Sequence, residues 1–208
     1  MVGEGVSHEC LQSPAVEKVL VINRRPCGIQ HPKLKEVIHK DFSDFAAIEN
    51  ELAGYNAAFL CMGITSLGTK EPDYHRITYE YTLALAKTLV KLNPEMVICY
   101  VSGAGTKQDE GVKNMWMRVK GKTERDLQKL SPNAYMFRPG YIRPIKGLKN
   151  IYTMYKALDW LMFPLLKLLA PKVACTLKEI GLAMIHCGLK GYEKKILEVK
   201  DIEKAAKL

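Results

Sequence analysis

Ser102 in YVSGAGT, and Trp116 and Lys120 in NMWMRVKGKTE, are the residues of this chain whose types and spacing could do chemistry. Trp116 and Lys120 stand four apart, so a helix stacks them on one face, one turn from each other. A serine hydroxyl can polarise a carbonyl, and a lysine ammonium can hold ribose hydroxyls or offset phosphate charge. An aromatic residue between them delivers a proton when it is tyrosine. Here it is tryptophan, whose indole Nε1–H donates a hydrogen bond but neither releases nor accepts a proton near neutral pH. General acid/base catalysis, worth about 10² to 10⁴ in rate, is therefore lost at this position. Tyr79, Tyr81, Tyr100 and Tyr141 are substitutes by residue type alone.

The elements that must position these residues alternate. Short apolar runs at 18–23, 36–39, 57–63, 96–102, 134–139 and 195–199 read as strands, most of them apolar on both faces. Segments of helical period lie between them at 43–53, 73–92, 110–130, 148–169 and 176–189. This order predicts an α/β fold, a doubly wound parallel sheet with helices on both faces, with ligands bound where the strands end. Ser43 is placed to cap the helix at 43–53, with Ala46 and Ala47 starting its inner face, and Thr176 with Glu179 spells a capping box. At the start, VGEGV runs straight into a helical pattern with no strand before it. In a dinucleotide-binding unit such glycines follow a central strand, so the first strand of the sheet is expected to be missing. The second strand is then either displaced or paired directly with the fourth, and cofactor binding is expected to be weak until about ten residues, a strand and a turn, are added upstream.

With 31 basic against 22 acidic residues the chain carries +9, which favours acidic partners without choosing among them. The lysines are dispersed and no nucleic-acid module is present, so nucleic acid is not the expected partner. Six cysteines, Cys10, Cys27, Cys61, Cys99, Cys175 and Cys187, form no CxxC pair, and the opening residues lack the basic start and apolar stretch of a signal peptide. A reduced, cytoplasmic protein is the expectation. The apolar segment 157–170 contains Asp159, Pro164 and Lys167 and is shorter than the roughly 20 residues that cross a bilayer.

Taken in order, the glycine-loop remnant, the strand ending INRRP, KDFSD, FLCMGITS, YVSGAG, RVKGKTE and FRPGYIRP resemble the short-chain dehydrogenase/reductase superfamily, in its atypical NAD(P)-dependent epimerase/dehydratase-like branch. The resemblance implies a Rossmann-like region over 1–147, incomplete at its start, and lid or substrate-side helices with the last strand over 148–208, all in one domain. It implies hydride transfer with a small carbonyl or sugar-derived substrate. The cofactor would be NADP, with NAD as the alternative, because Arg24 and Arg25 stand where an acidic residue would meet the ribose of NAD and guanidinium matches a 2′-phosphate. By the same resemblance Gly3 ends the phosphate loop, Asp41 and Phe42 border the adenine, and Cys61, Met62 and Gly63 pass under the cofactor. Ser102 polarises the carbonyl, Lys120 holds the ribose, Trp116 replaces the catalytic tyrosine, and Arg138, Pro139 and Gly140 close the nicotinamide side. No metal is implied. Residues 148–170 would line an apolar pocket or pack as core, with a peripheral membrane contact flanked by Lys149, Lys156, Lys167 and Lys172 as a third reading. The second functional class is a cofactor-binding sensor or interaction protein that has kept the fold and given up the chemistry.

Overall fold

The computed structural model describes the 208-residue chain except residues 110, 146, 149–162, 165, 167, 169, 171 and 172. The described elements run α1 (Val2–Gln12), β1 (Val19–Asn23), β2 (Leu34–Ile38), a 3₁₀ turn (Ala46–Ile48) leading into α2 (Glu49–Leu52), and β3 (Ala57–Leu60). They continue with α3 (Glu71–His75), a π-helical turn (Arg76–Glu80), α4 (Tyr81–Leu92), β4 (Val97–Val101), α5 (Met115–Leu130), β5 (Ala134–Arg138) and β6 (Tyr141–Arg143). The last are β7 (Ala174–Thr176), α6 (Leu177–Lys190), β8 (Ile196–Glu198) and α7 (Val199–Ala205).

Four strands form a parallel sheet in the order β3-β4-β5-β8. The register sets Leu60 beside Tyr100, Val101 beside Phe137 and Arg138 beside Glu198, so the carboxyl ends of the strands share one edge. Both faces are covered, which is why Ile98 to Val101 are all buried although successive side chains point to opposite faces. Cys99 and Val101 meet Val6 and Cys10 of α1 and Ile180, Ala183 and Met184 of α6 in one cluster. Ile98 and Tyr100 meet Leu83, Ala86 and Leu89 of α4 and Leu127 of α5 in the other. This is the doubly wound Rossmann-like arrangement that the alternation predicts.

The parallel strands divide into separate sheets between β1 and β3. β1 pairs with β2 in parallel, β3 pairs with β4, and no ladder joins β1 to β3. The second strand is therefore displaced instead of closing onto its neighbour, and α1 packs against both β1 and β3.

Several local expectations are corrected. Ser43 does not cap a helix: its amide and hydroxyl both donate to Asp41, and Asp44 accepts from the Ala46 amide instead. Ala46 and Ala47 are exposed, and Phe45 and Leu52 carry the burial of that segment. The helix expected over 110–130 starts at Met115, because the Asn114 side chain accepts from the amides of Trp116 and Met117. The capping box of Thr176 and Glu179 is present. The parallel pair β6–β7 and the helix α7 lie where no element was expected. All six cysteines are free thiols. Among the described residues no helix is long and apolar enough to cross a membrane.

Candidate functional site

The carboxyl edge of the four-stranded sheet is organised by Glu124, one turn after Lys120 on α5 and fully buried. Its Oε1 accepts from Ser102 Oγ at 2.5 Å and Arg138 Nε at 2.9 Å, and its Oε2 accepts from Arg138 Nη2 at 2.5 Å and Gln108 Nε2 at 3.2 Å. Arg138 also reaches Glu198 through Nη1 at 3.3 Å. One carboxylate thus ties together the ends of β4 and β5 and the loop after β4, and Arg138 extends the link to β8. That loop is fixed further by Arg125 Nη1, which donates to Gln108 O at 3.1 Å. Gly121 lets it approach α5, since a Cβ there would lie 1.8 Å from Lys107 O. Paired carboxylates raise the affinity of Arg138 for its proton, Glu124 first.

Lys120 is treated differently by its surroundings. Nζ donates to Val101 O at 3.1 Å and lies 5.3 Å from the Tyr100 ring centroid. None of the ion pairs of the described residues includes it, and the oxygens of Glu124, the carboxylate that raises its pKa, are taken by Ser102, Arg138 and Gln108. Burial therefore lowers its pKa to about 8, against weaker upward pulls from Glu124 and Cys61. The result is an ammonium at the sheet edge, satisfied by one carbonyl of its three possible acceptors.

Trp116 lies on the first turn of α5 with its ring over the loop after β4. Its Cζ3 and Cη2 atoms come within 3.7 and 3.9 Å of where Cβ atoms on Gly103 and Gly105 would be. None of the four candidate tyrosines is shown replacing a phenol at this position. Tyr100 is fully buried and its pKa is pushed far up by burial. Tyr79 donates to Asp126 Oδ2 at 2.9 Å, and burial, then Asp126, raises its pKa. Tyr81 packs toward Phe42, and Tyr141 toward Phe163.

The other residues singled out by sequence fall into two groups. Near the edge, Gly3 faces Cys61, with 3.4 Å between an added Cβ and the Cys61 Cβ. The Cys61 thiol is pushed up to about 12 by burial, then by Cys10. Met62 is half-buried, and Gly63 has no protein atom within 4 Å of where its Cβ would stand. Pro139 O accepts from Ala104 N at 2.8 Å. Gly140 is required by the β6–β7 pair, since a Cβ there would lie 2.1 Å from Val173 O. Farther out, Arg24 and Arg25 are exposed beyond the end of β1. Asp41 is exposed, its carboxyl held low by two hydrogen bonds from Ser43. Phe42 packs at 5.7 Å edge-on to Phe45. The segment 148–170 and its four flanking lysines lie outside the described residues apart from scattered positions, among which Phe163 is buried. Sequence reasoning missed Glu124, Gln108 and Glu198. The available signal was Glu124 itself, an acidic residue four after Lys120 in GKTE.

Solved structures share this Rossmann-like arrangement. The chain is similar to the ADP-L-glycero-D-manno-heptose-6-epimerase of Helicobacter pylori, with a TM-score of 0.65 and 12% identity, covering 100% of this chain and 78% of that one. It is similar to the Bordetella bronchiseptica enzyme WbmF in complex with NAD+, with a TM-score of 0.65 and 15% identity over 98% of this chain and 73% of that one. A third likeness, at a TM-score of 0.65 and 13% identity over 98% and 77%, is to the UDP-N-acetylglucosamine 4-epimerase of Methanobrevibacter ruminantium. At these identities the likeness is one of fold: the chain has a Rossmann-like fold similar to that of these solved structures. No family model and no curated protein matches it.

Proposed function

We propose that this chain binds a nicotinamide dinucleotide across the carboxyl edge of the β3-β4-β5-β8 sheet, for hydride transfer with a small carbonyl or sugar-derived substrate. The observation that carries this reading is Lys120, a half-buried ammonium with no ion pair among the described residues, whose remaining donors suit ribose hydroxyls. The donor set fits the group in two further respects. Gly63 leaves open space beside β3, and Arg24 and Arg25, exposed and outside the ion pairs of the described residues, favour the 2′-phosphate of NADP over NAD. Bound there, the cofactor would supply the hydride. Titration by calorimetry and melting tests the reading: NADPH should raise the melting temperature more than NADH. No shift with either nucleotide at millimolar concentration would reject it.

A second reading, binding without turnover, is favoured by specific contacts. Trp116 has no proton to give, and the Ser102 hydroxyl is spent on Glu124. Assays with NADPH and a panel of aldehydes separate the two, and turnover gained by Trp116→Tyr would identify the lost phenol as the cause.

A further inference from the structure

Arg118 stands near the start of α5, two residues after Trp116 and two before Lys120. Its guanidinium reaches back past the start of the helix. Nη1 donates to Val112 O at 2.8 Å and Lys113 O at 3.1 Å, and Nη2 donates to Glu71 Oε1 at 2.6 Å. Val112 and Lys113 end the loop after β4, and Glu71 opens α3, directly after the loop from β3 that contains Gly63. β3 and β4 are paired neighbours in the sheet. One side chain therefore joins the two loops that leave adjacent strands at the carboxyl edge. Trp116 has its ring near Gly103 and Gly105, so the first turns of α5 hold the loop after β4 at its start through Trp116 and at its end through Arg118.

A cation near the N-terminus of a helix is disfavoured by the helix dipole, so Arg118 needs acceptors outside the helix to offset its position. The pair with Glu71 is too exposed to do this alone, at 34% and 50% of the two side chains, since an exposed ion pair contributes little. Three acceptors on one planar guanidinium differ, because its donors are fixed in a fork that a lysine ammonium does not reproduce. We propose that Arg118 is a positioning residue, a clasp that sets the spacing of the loops after β3 and β4 and with it the width of the nucleotide site at the carboxyl edge. The effect on a ligand rests on the nicotinamide reading above; the clasp itself does not.

Limited trypsin digestion reads the clasp without any ligand. Lys113 is exposed, and the peptide bond that follows it contains the carbonyl that Arg118 binds. Arg118→Met should speed cleavage after Lys113 by about 5–10-fold, as the population of opened loop grows. Glu71→Ala leaves both carbonyl bonds in place and should change cleavage there by no more than about twofold. In calorimetry Arg118→Met should weaken NADPH binding by about 5–10-fold, Glu71→Ala by less, and Arg118→Lys should recover part of the loss. The melting temperature of unliganded Arg118→Met should stay within about 2 °C of the wild type, which separates a positioning role from a general loss of stability. Unchanged cleavage after Lys113 in Arg118→Met overturns the clasp. Equal NADPH affinity in wild type and Arg118→Met overturns the positioning role. A wild type that binds no NADPH rejects the cofactor reading and the positioning role together, while faster cleavage in Arg118→Met would still establish the clasp.

Discussion

Two basic side chains at the same sheet edge meet opposite fates. Arg138 is paired twice over, to Glu124 and Glu198, whereas Lys120, one turn from Glu124 on α5, is given a single carbonyl. The difference lies in the count of acceptors. A carboxylate has two oxygens, and Ser102, Arg138 and Gln108 fill both of those on Glu124. Saturated charge holds a structure together, while unsaturated charge is available to a ligand. Ser102 is bonded to this saturated carboxylate, and among the described residues Lys120 is bonded to one carbonyl only.

Removing the centre of the closed half should have the largest effect. Glu124→Ala strands Arg138 beside a buried void, a loss of roughly 3–5 kcal/mol that calorimetry would read as a fall of roughly 6–20 °C in melting temperature. Glu124→Gln keeps the shape and part of the bonding and should cost less. An unchanged melting temperature in Glu124→Ala would refute the scaffold role.

Lys120→Met tests the open half in two ways. It should weaken NADPH binding by about 10–100-fold, the worth of charge-assisted hydrogen bonds. It should also alter the pH dependence of stability. The folded-state pKa of about 8 lies below the ordinary value of 10.5. Between those values the unfolded chain holds a proton that the folded protein has released, so wild-type stability should gain with rising pH from about 8 to about 10.5. Urea unfolding of wild type and Lys120→Met across that window should show the gain only in the wild type. Smallest is the effect at the periphery. Replacing Arg24 and Arg25 by serine should cost NADPH about tenfold in affinity and leave NADH unchanged, with no change in melting temperature of the unliganded protein.

The layers of the fold were legible because apolar runs at 96–102 and 134–139 are long enough to demand cover on both faces, and the structure buries most of both, whereas of 57–63, at the end of the four-stranded sheet, only Leu60 is buried. The pair of Trp116 and Lys120 on one helix was legible from spacing alone. Less visible was where side chains send their hydrogen bonds. Ser102 and Glu124 are 22 residues apart, and nothing in the local sequence says that one donates to the other. The short β6–β7 pair was hidden too, because three-residue strands show no periodicity and their partner lies some thirty residues on. The π turn is equally silent in sequence.

The gap in the sheet leaves a signature that alternates along the backbone. Val19 donates to Lys33 O and His39 to Asn23 O on the β2 side, so the odd-numbered amides of β1 are locked and those of Leu20 and Ile22 face the gap. On β3 the parity is reversed relative to β4: Val97 donates to Asn56 O, which turns Phe59 outward and Ala58 and Leu60 inward. Deuterium should thus enter the two strands at every second residue, ahead of its neighbours, tracing the two facing edges of the gap.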